Sequence, residues 1–146
     1  MDIGTKQSYP ASALSNLSPH PFEIDGVPCN SMEGFLQALK FSNPEMQKEV
    51  CKLVGLKAKF KGKKKSWYKT QTLYWLGKEI NRQSEEYQNL LDKAYECLFK
   101  NSGFKAALKA SGNSTLTHSI GKTDSSKTVL TVREFCSRLT KLRNRL

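Results

Sequence analysis

The dipeptide Asp25-Gly26 constrains the chain more than any other feature, because it stands between two short apolar runs, Pro21-Phe22-Glu23-Ile24 and Val27-Pro28-Cys29. Both central residues of a type I′ hairpin turn need positive φ. Asp tolerates that conformation and Gly adopts it freely, so the stretch predicts a β-hairpin. Pro28 lacks an N–H for the ladder and limits the second strand to a short or edge one. Asn30 or Ser31 then caps a helix; with Asn30 as the cap, Glu33 falls at the third position, the acidic member of a capping-box-like arrangement.

On that helix Met32, Phe35, Leu36 and Leu39 follow the i, i+3, i+4, i+7 rule and predict a buried stripe. Glu33, Gln37 and Lys40 recur at i, i+4, i+7 on a different face, next to a loop carrying Asn16. An acid, an amide and an amine are thus stacked on one side. They read either as a capping acid on a solvated polar face or as one wall of a pocket.

The whole segment Ser15 to Phe41, SNLSPHPFEIDGVPCNSMEGFLQALKF, resembles the opening signature of the NADAR family, the YbiA-like fold. That signature runs Ser-Asn-Phe, Pro-Phe, Asp-Gly, Ser/Thr-x-Glu, Gln-Ala-x-Lys-Phe. Ser15, Asn16, Pro21, Phe22, Asp25, Gly26, Ser31, Glu33, Gln37, Ala38, Lys40 and Phe41 fall in register with it. The resemblance implies N-glycosidase chemistry. Members of the family cleave a ribose phosphate from a base-like amine in riboflavin intermediates, or remove ADP-ribose from guanine in nucleic acid.

With 146 residues the chain is expected to form one domain, residues 1–146, with a single core. The opening MDIGTKQSYP has no apolar signal region, which predicts a cytoplasmic protein. Four cysteines at 29, 51, 97 and 136 form no Cys-x-x-Cys pair and lie far from both histidines, so neither a zinc site nor a disulfide framework is expected. The formal net charge of +11 is the extreme value, and it points to phosphates, nucleotides or nucleic acid as partners.

Residues 1–14 read as an extended lead-in. Pro44 opens a second helix, whose apolar side is Met46, Val50, Leu53, Val54 and Leu56. The run Lys57 to Lys69 follows, with seven lysines and three aromatics and no acid; it reads as an anion-contacting loop or as a solvated basic one. Residues 70–82, TQTLYWLGKEINR, are expected to be helical, with Leu73, Leu76 and Ile80 inward. Ser84 caps a long helix with the stripe Tyr87, Leu90, Leu91, Ala94 and Leu98. A shorter helix around Phe104 to Leu108 is stopped by Gly112. Thr131-Val132-Arg133-Glu134 is a capping box that opens the last helix. The expected fold is therefore α+β, predominantly helical, with a small N-terminal β-hairpin.

A second segment, Leu116 to Thr128, contains Gly121-Lys122-Thr123. This is not a P-loop, because the required first glycine is Leu116. The resemblance places a second signature here, Leu-x-Glu followed by a loop with an Asp and a Trp-Gly. The chain has Leu116, has His118 where Glu is usual, has Asp124 one residue out of register, and lacks the Trp-Gly. The family also sets a substrate-stacking Trp before the long helix, for which Trp75 and Trp67 are the candidates.

Cleavage of an N-glycosidic bond develops an oxocarbenium-like centre that carboxylates stabilise or that they meet by activating water. The expected catalytic residues are Glu33 first and Asp124 second. Asn16, Gln37, Lys40, Trp75, Trp67, His118, Ser119 and Gly121 are the candidate substrate-binding residues. His118 reads either as a histidine bonded to backbone or as an acid for the leaving group. Asn16 orients ribose or simply forms a turn. No metal or other cofactor is expected. Two rival readings stand beside the enzyme: a non-catalytic ADP-ribose or nucleotide module, and a basic nucleic-acid-binding protein without an active site.

Overall fold

Both hairpins of the molecule are built on a pair of left-handed residues. In the computed structural model, which describes residues 1–146, Asp25 and Gly26 have φ of 50° and 78° and join strands β1 (Phe22–Ile24) and β2 (Val27–Cys29). Phe22 faces Cys29 and Ile24 faces Val27, so the buried residues share one face and Glu23 and Pro28 share the other. Helix α1 (Met32–Ala38) follows at once. Its cap is Ser31, whose Oγ accepts from the Gly34 N–H at 3.0 Å. Glu33 is therefore the second helical residue rather than the third, and its carboxylate has no capping duty there.

Helix α2 (Pro44–Cys51) is capped by Asn43, with Pro44 in its first turn. It ends sooner than the apolar pattern implied. Gly55 takes φ of 60° and starts a new helix α3 (Gly55–Lys61), so Met46, Val54 and Leu56 are exposed and only Val50 of that stripe is fully buried. The expected basic loop is in fact the end of α3, a turn, and the one-turn helix α4 (Trp67–Thr70).

Apart from Thr70, which ends α4, residues 70–82 are not helical. They form the second hairpin, β3 (Thr72–Trp75) paired with β4 (Lys78–Asn81). Leu76 and Gly77 make its turn with φ of 49° and 89°. Leu73, Trp75 and Ile80 are all buried, which is the period of a strand, while Leu76 lies at the exposed tip. Two contacts fix the hairpins to each other and to α1. Trp75 packs edge-on against Phe35 at 5.0 Å, and its Nε1–H donates to the Asp25 carboxylate at 2.9 Å, which Lys93 also reaches.

Gln47 is wholly buried on α2. Its Nε2 donates to the carbonyls of Ala38 (3.1 Å) and Tyr74 (2.8 Å), and its Oε1 accepts from the Leu76 N–H (2.9 Å). One side chain thus satisfies backbone groups at the end of α1 and in the second hairpin.

The second half is helical: α5 (Glu85–Leu98), α6 (Ser102–Ala110) and α7 (Val132–Arg143). The capping box on α7 is complete, and Glu134 does more than cap. It receives Arg82 at 2.7 and 3.1 Å and the Gln88 amide at 2.7 Å. Burial alone would raise the Glu134 carboxyl, yet the hydrogen bonds from Arg82, the Thr131 N–H and Gln88 hold it below its ordinary value. No helix is long and apolar enough to cross a membrane.

Candidate functional site

Glu33, Gln37 and Lys40 all line one cavity of about 460 Å³, within the range of small-molecule sites. The i, i+4, i+7 spacing on and just beyond α1 sets them along a single wall. The adjoining wall is the loop Ser15–Leu17. Its position is fixed by the Glu33 N–H, which donates to the Asn16 carbonyl at 2.9 Å, and by the buried Tyr95 hydroxyl, which donates to Asn16 Oδ1 at 2.8 Å. With its oxygen held, Asn16 presents an amide N–H₂ as the free donor.

The lysines converge here. Lys40, Lys59, Lys63, Lys65, Lys122 and Lys127 line the cavity, and Glu33 is the one carboxylate among them. Burial pushes the Glu33 carboxyl above its ordinary value of 4.5; Lys40, the Gln37 amide, Lys59 and His118 oppose that rise without cancelling it. Burial likewise lowers Lys40, which Glu33 supports and Lys122 opposes. Trp67 is buried in the wall, while Phe60 and Tyr68 stand about half exposed at the mouth. Thr128 to Thr131 and Phe135 close the remaining side. Chemically this is a cationic cup with aromatic edges, able to hold phosphate oxygens, with one acid of raised proton affinity inside.

Comparisons with known proteins identify the family and the fold. The family described as Bacteriophage protein GP30.3 matches residues 8–144. The chain belongs to that family. A relative from Enterobacteria phage T4, the 17.1 kDa protein of the Gp30-rIII intergenic region, is 38% identical over 151 residues, covering 100% of this chain and 98% of its own. The solution structure of the Escherichia coli protein YbiA superposes with a TM-score of 0.61 at 17% identity, over 97% of this chain and 80% of YbiA. The family match and the YbiA fold together bear out the NADAR-type, YbiA-like assignment and its α+β, mainly helical architecture.

Within the family's fold, seven of the ten sequence-derived site residues line the cavity: Asn16, Glu33, Gln37, Lys40, Trp67, His118 and Gly121. Asp124, Ser119 and Trp75 do not. Asp124 sits on an exposed turn, where its Oδ1 accepts from the Ser126 N–H (2.9 Å) and hydroxyl (2.7 Å). Ser119 turns away to Asp2, which accepts from its N–H and hydroxyl. Trp75 is committed to Phe35 and Asp25. Lys122, Lys127 and Tyr95 were not among the expected site residues: the two lysines line the cavity from the second segment, Leu116 to Thr128, and Tyr95 reaches Asn16 from α5. No group of three or more His, Cys, Asp or Glu side chains stands close enough to hold a metal ion.

Proposed function

We propose that this protein is an N-glycosidase that hydrolyses the bond between a phosphorylated or ADP-ribosylated ribose and its base or amine. The observation that carries the reading is the isolation of Glu33: one partly buried carboxylate that shares its cavity with six lysines. A carboxylate alone among cations does little for a neutral substrate. Beside a phosphorylated sugar, the lysines hold the phosphate oxygens and the carboxylate meets the positive charge that develops at the anomeric carbon. Asn16 offers its amide to ribose hydroxyls, and Trp67 or the half-exposed Tyr68 supplies a ring for the base. Lys57, Lys61, Lys64 and Lys69 are exposed outside the cavity and extend positive charge away from its mouth, which suits a base carried in nucleic acid.

Two consequences test the cup itself. Replacing Lys59, Lys63 and Lys65 together by Gln is expected to weaken ADP-ribose binding by about 10- to 100-fold, measured by calorimetry. Gly62 lies against the wall: a Cβ there would meet Gln37 Oε1 and stand 2.7 Å from Lys40 Cδ. Its φ of −93° suits any residue, so Gly62→Ala adds no backbone strain and acts through those two side chains. The variant is expected to lose about tenfold in ADP-ribose affinity.

The deciding experiment incubates the protein with ADP-ribosylated nucleic acid, NAD-related nucleotides and a riboflavin-pathway phosphoribosyl amine, and looks by mass for a freed base or sugar. Release from one of them supports the reading. Tight ADP-ribose binding without any product would identify a binding module instead, and salt-sensitive duplex binding without either would identify a nucleic-acid-binding protein.

A further inference from the structure

The cavity holds a second group suited to moving protons, and an unexpected part of the chain fixes it. His118 lines the cavity, and its Nδ1 lies 2.8 Å from the Ile3 carbonyl oxygen. A carbonyl only accepts, so Nδ1 carries the proton and Nε2 of the neutral ring is the acceptor. Nε2 has no partner within the protein. The ring is packed edge-on against Phe135 at 5.3 Å. Gly121 lies against Cδ2, the carbon bonded to Nε2, where a Cβ would approach to 2.5 Å, so the glycine keeps that edge of the ring open. The other histidine, His20, is bonded to the Ala13 carbonyl and does not line the cavity.

Ile3 is held by a strap formed from Met1, Asp2 and Ile3. The Ile3 N–H donates to the Thr117 carbonyl (2.8 Å), the Thr117 N–H donates to the Met1 carbonyl (2.9 Å), and the Ile3 side chain is buried in the core. Asp2 accepts from the Ser119 N–H at 2.7 Å and from its hydroxyl at 2.6 Å. The strap therefore grips the residues on both sides of His118 as well as the imidazole. The charged groups around the ring are Asp2 and the Met1 ammonium on the strap, Glu33 on α1 and Lys122 on its own loop; from α7, Phe135 packs on the ring and the Cys136 thiol lies near Asp2.

We propose that His118 Nε2 is the proton relay of this site and that the Met1–Ile3 strap, anchored by Asp2, is the positioning element that sets its tautomer. The relay rests on the glycosidase reading. With Asp124 outside the cavity, Glu33 has no second carboxylate to share the work, and His118 is the one imidazole present. As the C–N bond breaks, its electron pair goes to the leaving nitrogen. Water adds to the anomeric carbon, a water proton passes to Nε2, and the imidazolium gives its proton to the leaving amine. The sum is one water consumed, with a sugar hydroxyl and an N–H formed.

The test has two arms. In the first, long-range proton–nitrogen spectra of ¹⁵N-histidine-labelled protein report the tautomer of His118 without any substrate. Protonation at Nδ1 is expected in the wild type and a mixture of tautomers in folded Asp2→Ala; an Nε2-protonated ring in the wild type overturns the proposal. In the second, His118→Gln is expected to lower kcat about 100-fold and to flatten the pH profile, with ADP-ribose affinity kept within a few-fold. Asp2→Ala is expected to lose activity in step with its tautomer shift, and Asp2→Asn to recover part of it. A His118→Gln protein with the wild-type rate and pH profile sinks the relay while the glycosidase reading stands. A wild type inert on all three substrates sinks both, and the spectra still decide the strap.

Discussion

Glu33→Gln is expected to lower kcat for base release by about 10³-fold while leaving ADP-ribose affinity nearly unchanged. Gln has almost the same shape and keeps its place on α1, so the loss isolates charge and proton exchange from geometry. The same substitution has an opposite effect on stability. Burial raises the Glu33 carboxyl above its ordinary 4.5 in the fold. A raised group contributes stability that is fully present below its unfolded value and is lost as pH rises through its folded one. Glutamine cannot ionise and escapes that loss. The Tm of Glu33→Gln relative to wild type should therefore climb as pH rises from about 4 to about 8, with part of the gain offset because Lys40 loses its counter-charge. Melting curves across that range check it; a relative Tm that falls with pH contradicts the burial account. An enzyme variant with the wild-type rate contradicts the function itself.

Arg82→Ala is expected to destabilise the fold by about 3–5 kcal/mol, the range for removing one partner of a buried ion pair. The Arg82 side chain is 1% exposed and its partner Glu134 13%. The substitution removes both bonds to Glu134, the Nε–H bond to the Thr128 carbonyl at 2.9 Å and the stacking of the guanidinium over Tyr87 at 4.7 Å. It leaves a carboxylate inside with only the Gln88 amide and the Thr131 N–H. A fall in Tm of about 10 °C or more is the expected reading, with urea unfolding as the direct measure. Arg82→Lys keeps a charge but loses the two-pronged geometry, and should fall between. Because Arg82 and the Tyr87 hydroxyl hold the carbonyls of Thr128 and Val129, the variant also loosens one wall of the cavity.

The legible parts of the fold were those written in local chemistry. Asp25-Gly26 announced its turn because both residues suit positive φ. The second hairpin was hidden because its turn is Leu76-Gly77, and a leucine at φ of 49° is a conformation its side chain does not advertise. Leu73, Leu76 and Ile80 are spaced three and four apart, so a strand–turn–strand mimicked a helical stripe. The site divides the same way. Glu33, Gln37 and Lys40 were readable because one helix carries them at a regular interval. Tyr95, Lys122 and Lys127 join them only through tertiary packing, which no local pattern encodes. Asp124 suited the family signature by residue type, but its hydrogen bonds to Ser126 spend it on an exposed turn. The strap was read as a featureless lead-in because nothing in Met1-Asp2-Ile3 betrays a partner more than a hundred residues away.

Gln47 ties the last turn of the Glu33 helix to the tip of the second hairpin through three backbone groups. Mechanical information therefore has a short route across the molecule. A substitution at Leu76, which is partly exposed and does not line the cavity, bears directly on the amide that steadies the acid-bearing helix. Drift in that turn among relatives is thus a means of retuning the pocket without altering a single residue that lines it.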